Sequence, residues 1–461
     1  MSLMAKTDGA QPPEEPAPGA DNGNSISDGP FFHRVDWWSF AMASAAGLVV
    51  YFCTIAPEVT LQDGGSFVTG AAYAGVPDCP GFPLWTIYSW LFVKLIPFSN
   101  EAWRVTAGSA VAAAVACGLT ALMVSRGGAL LLENTPVFTN RPLAEQNLLR
   151  AVCGSVAGLA LGLSEAIWSQ VALLNVWALS TLLFASMLAL LLCWTASPRR
   201  RRFLYAAVCV FGLLLTNSQS LTAIAPAIVF CVMLGDSELG RDLFLVAVIV
   251  SAIELTTGLL SSFEFYSHRN VPLLVAFAFV SIWALAAGFK ARWLASEWKV
   301  SLICGLAFLS GLGLYFYSPM ASMTNPPMNW AYSRTVEGYY HLVSRGQYDR
   351  LDPTHDLGTF MVQLGMVALE IGRGFGWLYF IFIPAPFYLL RRAPRAARHW
   401  MLGLTATFVC AGPVTVAMLN PTRDRMTLGL IAPYFSAMHV ILAIWAGLGL
   451  MAIGAAISKA K

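Results

Sequence analysis

Long apolar stretches separated by short polar breaks recur along the whole chain. A helix needs roughly 20 apolar residues to cross the hydrocarbon of a bilayer, and fewer where the span is short or bent. On that measure the pattern predicts twelve membrane helices, at residues 37–56, 102–124, 151–168, 175–195, 203–217, 220–234, 243–259, 272–289, 300–317, 375–390, 400–419 and 430–453. The expected fold is an all-α polytopic membrane protein of about 12 transmembrane helices. Residues 82–98 are apolar enough to be mistaken for a further span. Counting them would invert every later loop, and their aromatic residues and Lys94 suit a helix lying in the outer interface.

The polar segments divide the chain. Residues 1–36 are rich in Pro, Gly, Asp and Glu and read as a disordered cytoplasmic tail ahead of a membrane domain at 37–461. The tail has no basic start leading straight into an apolar core, so a cleaved leader is not expected. With the N-terminus inside, 19 of the 28 Lys and Arg residues fall on the cytoplasmic face. Arg199 to Arg202 and the Arg391, Arg392, Arg395 and Arg398 cluster are the strongest anchors of that orientation. The first outer loop, 57–101, and a large outer loop, 318–374, then face outward. Gly154, Gly158 and Gly162 share one helix face and predict close helix packing in lipid.

Composition agrees: 57% of residues are hydrophobic and 11% charged, against about 25% charged in soluble proteins. A net charge of +3 without a long basic tract gives no support to a nucleic-acid partner. No P-loop or GxGxxG turn appears, so no nucleotide cofactor is expected. Of nine cysteines only Cys79 falls in a polar loop, and no CxxC or HExxH spacing points to a metal.

Candidate chemistry concentrates in PEVTLQDGGSFVTGAAYAGVPDCPGFP, residues 57–83, where glycines and prolines shape a loop around Asp63 and Asp78. Asp63 suits a general base that takes a hydroxyl proton, and equally a turn or helix-cap residue. Asp78 is either a second acid or part of a turn. Arg104 and Arg345 have the planar guanidinium that pairs with phosphate, with interface snorkelling as the plain alternative. Asn217, beside a polar break, is expected at a cavity mouth. The run Asp349, Asp352, His355, Asp356 has donors for a cation, but a solvated loop explains it as well. Glu165, Glu254 and Glu370 are the carboxylates nearest membrane depth, without partners visible in the sequence.

The segment from Thr54 to Pro83 resembles the first outer loop of a family of bacterial multi-pass proteins long catalogued as a domain of unknown function. The family's animal branch includes a protein O-mannosyltransferase of the glycosyltransferase C superfamily. The similarity continues through AWRVTAGSA (102–110), GLALGLSEAIWSQVALLNVWALS (158–180), LLLTNSQSLTA (213–223), SPMASMTNPPMNW (318–330) and RGQY (345–348). The resemblance implies an outward-facing site that takes a sugar from a polyprenyl-phosphate carrier and passes it to a hydroxyl on a protein or glycan acceptor. Asp63 matches the acid of the family's D-S-G-E pattern, while Gly64 and Ser66 stand at its serine and glutamate. Asp78 and Cys79 replace the histidine and first proline of H-P-P-G-Y-P, and Ser218 falls where T-N-H carries histidine. Leu173 and Asn175 fall where V-E-A-E-V-Y carries glutamates. The catalytic candidates are thus Asp63 and Asp78, and the substrate-binding candidates Arg104, Asn217, Asn329, Arg345, Gln347 and Tyr348. The altered acids leave two alternatives open, a catalytically degenerate relative that binds lipid-linked saccharide and a membrane transporter.

Overall fold

The computed structural model describes residues 30–60, 63–246, 296–348 and 353–457. Its regular structure is helical, and among the described residues the only β-type pairing is an isolated parallel bridge between Val76 and Asn329. Among the described residues, six helical stretches are long and apolar enough to cross a membrane: Arg34–Thr54, Glu101–Leu131, Trp177–Ala196, Trp298–Met323, Arg395–Leu419 and Thr427–Ile457. Two bent pairs raise the number to eight if each crosses as one span. They are Leu143–Gly162 with Glu165–Ala172, bent by 58°, and Leu357–Phe375 with Trp377–Leu389, bent by 101°. The expected spans at 203–217 and 220–234 form shorter apolar helices, Arg202–Asn217 and Gln219–Gly235. Those expected at 243–259 and 272–289 lie, except for residues 243–246, outside the described residues.

The bends have local causes. Ser164 breaks the first pair, its hydroxyl turned back onto the Leu161 carbonyl at 2.6 Å. Gly376 turns the second with φ +97°, a backbone conformation open to glycine and strained for other residues. Helix α1, Pro83–Leu95, has 13 residues and spans only about 20 Å, short of the roughly 30 Å of hydrocarbon. The apolar run at 82–98 is therefore not a span by length.

The core is built on Glu101–Leu131, whose span is 83% buried, whereas the spans in Arg34–Thr54 and Trp298–Met323 are each 22% buried and leave apolar sides for lipid. Asn100 caps the central helix, its side-chain oxygen accepting from Trp103 N–H at 2.8 Å. Small residues then bring three helices together. A Cβ on Gly158 would lie 2.5 Å from the Cys117 carbonyl oxygen, and one on Gly154 would lie 2.7 Å from that of Ala121. Gly162 meets Cys117 and Tyr51 in the same way, and the Tyr51 hydroxyl donates to the Gly162 carbonyl at 2.8 Å. The glycine stripe is a packing seam.

One ion pair is locked inside this bundle. Asp36 is fully buried and accepts from Arg150 Nη2 at 2.7 Å and from the Ser125 hydroxyl. Its other oxygen accepts from the His33 backbone N–H at 2.8 Å and so closes the start of the first long helix. That helix begins at Arg34, inside the stretch expected to be tail.

Candidate functional site

The segment after Arg34–Thr54 is held by the segment after Trp298–Met323 through backbone pairing. Val76 N–H donates to the Met328 carbonyl at 2.9 Å, and Trp330 N–H donates to the Val76 carbonyl at 3.0 Å. The Tyr317 hydroxyl donates to the Ala74 carbonyl at 2.6 Å. Beneath these bonds Val76, Cys79, Ala321 and Leu342 form a small buried cluster. The turn between them includes a cis Cys79–Pro80 peptide and Gly81 at φ +98°. A Cβ on Gly81 would stand 2.7 Å from Ser318 Oγ and 3.1 Å from Leu342 Cδ2, so glycine is needed for both backbone angle and space.

This clasp brings Asp78 onto the RGQY turn. Asp78 Oδ1 accepts from the Cys79 N–H at 2.7 Å and from Gln347 Nε2 at 3.0 Å, while Oδ2 accepts from the Tyr348 hydroxyl at 3.3 Å. Trp330 Nε1 in turn donates to Gln347 Oε1, which fixes the amide. The turn follows helix α2, Val336–Val343, capped by Thr335. It is tightened by Gly346 N–H on the His341 carbonyl at 2.9 Å. Arg345 takes a left-handed φ of +57°, unusual for a long side chain and held here by its contacts. Its guanidinium lies 4.7 Å over the Tyr348 ring, and the Tyr434 phenol acts on it from nearby.

Electrostatics follow from the packing. Burial would ease the proton off Arg345, but the phenol oxygens of Tyr434 and Tyr348 outweigh it, and the group is held cationic. Burial first, and the Asp78 charge second, push the Tyr348 hydroxyl up. The same two causes push the Cys79 thiol up to about 11, so at neutral pH it is a protonated, buried thiol.

Asn329 faces the same loop. Its residue bridges Val76, its Nδ2 lies 3.4 Å from the Ser322 carbonyl, and its Oδ1 is buried without a partner. The buried hydroxyls of Ser318 and Ser322 also act on no acceptor or donor. Unmet buried polar atoms beside a charged loop are what a ligand's hydroxyls would satisfy.

The remaining candidates are placed differently. Asp63 precedes helix α3, Gly64–Ala72, with its carboxylate exposed and making no capping bond. Arg104 is engaged with backbone carbonyls. Its guanidinium donates to the carbonyls of Phe98, Val93 and Ser99 at 3.0, 3.1 and 2.9 Å, closing the end of α1. Asn217, expected at a cavity mouth, is fully buried, and its amide donates to the Val176 carbonyl at 2.9 Å and to Ser180 Oγ at 2.7 Å. Both groups hold helices together. Asp356 caps Leu357–Phe375 through the Thr359 N–H at 2.6 Å, while Asp349 and Asp352 of the same run, and Glu254, lie outside the described residues. Trp330 and Tyr434 join the site without having been singled out. Trp330 lies in a family-like stretch, whereas nothing in the local pattern marks Tyr434.

The class of protein is set by these helices: an all-helical integral membrane protein in which two segments between long helices close on each other. Residues 63–239 match the family model of the Protein O-mannosyl-transferase TMEM260 N-terminal domain. The matched segment begins at Asp63 and contains Asp78, and it ends before the RGQY turn. No solved structure matches the chain.

Proposed function

We propose that this protein is a membrane glycosyltransferase that moves a sugar from a polyprenyl-phosphate carrier to the hydroxyl of a protein or glycan acceptor. The observation that carries the reading is the clasp of Asp78 by Gln347 and Tyr348, which joins a loop similar to the O-mannosyltransferase family to a loop with a fixed cation. We adopt the twelve-span topology of the sequence reading, with the N-terminus in the cytoplasm and both loops outside.

In this reading Asp63, exposed and making no capping bond, is the proton acceptor. The acceptor oxygen bonds to C1 of the sugar as its proton passes to the Asp63 carboxylate. The bond from C1 to the carrier phosphate breaks, and its electron pair leaves with the phosphate. Arg345, held cationic, faces the charge that develops there. Asp78 already accepts from three donors and orients the RGQY turn, and Asn329 Oδ1 offers an acceptor to a sugar hydroxyl. No metal takes part in this scheme.

The test is transfer from radiolabelled polyprenyl-phosphate mannose to native membranes by the purified protein in nanodiscs. Labelled product supports the transferase. Gly64 and Ser66, at positions where the resembling family has serine and glutamate, favour the degenerate relative as second reading. Saturable donor binding without transfer to any acceptor would establish it instead.

A further inference from the structure

A separate cavity of about 250 Å³ opens among Glu165–Ala172, Leu357–Phe375 and the stretch from Leu428 to His439. Three interruptions of helix meet around it. Glu165 follows the 58° break, Gly374 precedes the 101° break, and Ala432–Phe435 is a 3-10 turn. Irregular backbone at membrane depth is tolerated where it lines a cavity, and binding sites in membrane proteins are built at such breaks.

At the base of the cavity is His439, 3% exposed. One ring nitrogen, Nδ1, lies 3.0 Å from the Phe435 carbonyl, which can only accept, so Nδ1 carries the proton. The other, Nε2, is then a bare acceptor, buried and without a partner. The remaining polar lining is also acceptor-rich. Glu165 and Glu370 stand at the mouth as acceptors, whereas the Gln170 oxygen is already taken by Asn175 at 2.8 Å, so Gln170 adds an amide donor whose Nε2 lies 3.4 Å from Ser169 Oγ. Among the described residues no lysine or arginine lines the space. Arg373, 71% exposed and 3.9 Å from Glu370, stands outside it. Ile371 and Phe435 give apolar walls.

We infer that this cavity binds the ring of an uncharged sugar, with a ring hydroxyl donating to His439 Nε2. An anion is disfavoured, because the lining offers acceptors and two carboxylates. An organic cation would meet at the base the imidazole of His439, whose Nδ1 is tied to the Phe435 carbonyl, and no carboxylate, because Glu165 and Glu370 stand at the mouth. A pyranose has hydroxyl donors for the acceptors and C–H faces for Ile371 and Phe435. The volume is below the roughly 300–1,000 Å³ of sites for drug-sized ligands and suits one ring. The site stands whether or not the outer loops transfer a sugar.

The structure supplies a mild blocking substitution. A Cβ on Gly374 would lie 3.6 Å from His439 Nε2 and 3.7 Å from the Ala166 Cβ, ordinary contacts that leave the helix intact. Gly374→Ala therefore covers the lone pair without straining the fold. The experiment measures binding of methyl α-mannopyranoside and methyl β-galactopyranoside to the full chain in nanodiscs free of sugar detergent, by calorimetry or saturation-transfer NMR, with ethylammonium chloride as the cationic probe. We expect at least one pyranoside to bind saturably. Gly374→Ala and His439→Phe should each weaken it about tenfold or more, the loss of one buried hydrogen bond, with the melting temperature of Gly374→Ala unchanged. Absence of saturable pyranoside binding, binding indifferent to both cavity variants, or binding of ethylammonium in place of the pyranosides would overturn the inference.

Discussion

Gln347 Nε2 donates to Asp78 Oδ1 at 3.0 Å and so ties together two loops 269 positions apart in the chain. The bond is one of three on that carboxylate, and the partner amide is itself fixed by Trp330. Asp78 is in this way a joint between loops, whereas the Asp63 carboxylate is exposed and makes no capping bond.

That division predicts different kinetics for the two acids. Asp63→Asn keeps the shape and removes the proton acceptor, so sugar transfer should fall about 10²–10⁴-fold with donor binding retained. Asp78→Asn should instead weaken donor binding by loosening the RGQY turn, and a parallel Gln347→Ala variant should do the same. Transfer and binding assays on the same preparations separate the cases. Full activity in Asp63→Asn would move the base to Asp78.

The turn itself should be sensitive to one added methyl. Gly81→Ala places a side chain at φ +98° and 2.7 Å from Ser318 Oγ, a strain of about 1–3 kcal/mol. A lower melting temperature and faster proteolysis within residues 318–348 are expected. A variant as stable as wild type would show that the two loops separate easily.

Cys79 provides a probe of the same packing. With its thiol raised to about 11, the reactive thiolate is scarce at pH 7.5 and increases only as pH climbs toward that value. Maleimide at pH 7.5 should label Cys79 in denatured protein and spare it in folded protein, as read by mass spectrometry. Equal labelling in both states would contradict the buried cluster.

The Asp36–Arg150 pair should matter for stability alone. Removing one member leaves the other charge buried, which typically costs about 3–5 kcal/mol. Asp36→Ala should therefore lower the denaturation midpoint strongly. Asp36→Ala combined with Arg150→Leu should lower it by less than the separate losses predict. Strict additivity would mean that the two side chains do not interact.

Orientation is open to direct measurement. In a background without other cysteines, Asp63→Cys should react with an impermeant reagent added outside cells, and Arg200→Cys only after permeabilisation. The reverse pattern would place the two loops in the cytoplasm and remove the proposed lipid-linked donor from their reach.

Length and apolarity, both properties of contiguous residues, were enough to fix the helical membrane class and most long helices. The Gly154, Gly158 and Gly162 stripe also read correctly, because spacing along one helix determines which residues share a face. What spacing cannot express is the partner of a side chain. Arg104 is a candidate in the sequence for its phosphate-pairing guanidinium, and Asn217 for its place beside a polar break. Only the tertiary structure showed their partners to be three carbonyls at the end of a helix and the Val176–Ser180 turn. Glu165, Glu370 and His439 are far apart in the chain, and broken helices bring them to one cavity. Asp36 lay in a stretch whose composition reads as tail, yet its burial depends on Arg150 and Ser125 from two other helices. Local pattern records the preference of each segment for lipid or water, whereas the pairing of buried polar groups is settled by how the segments pack.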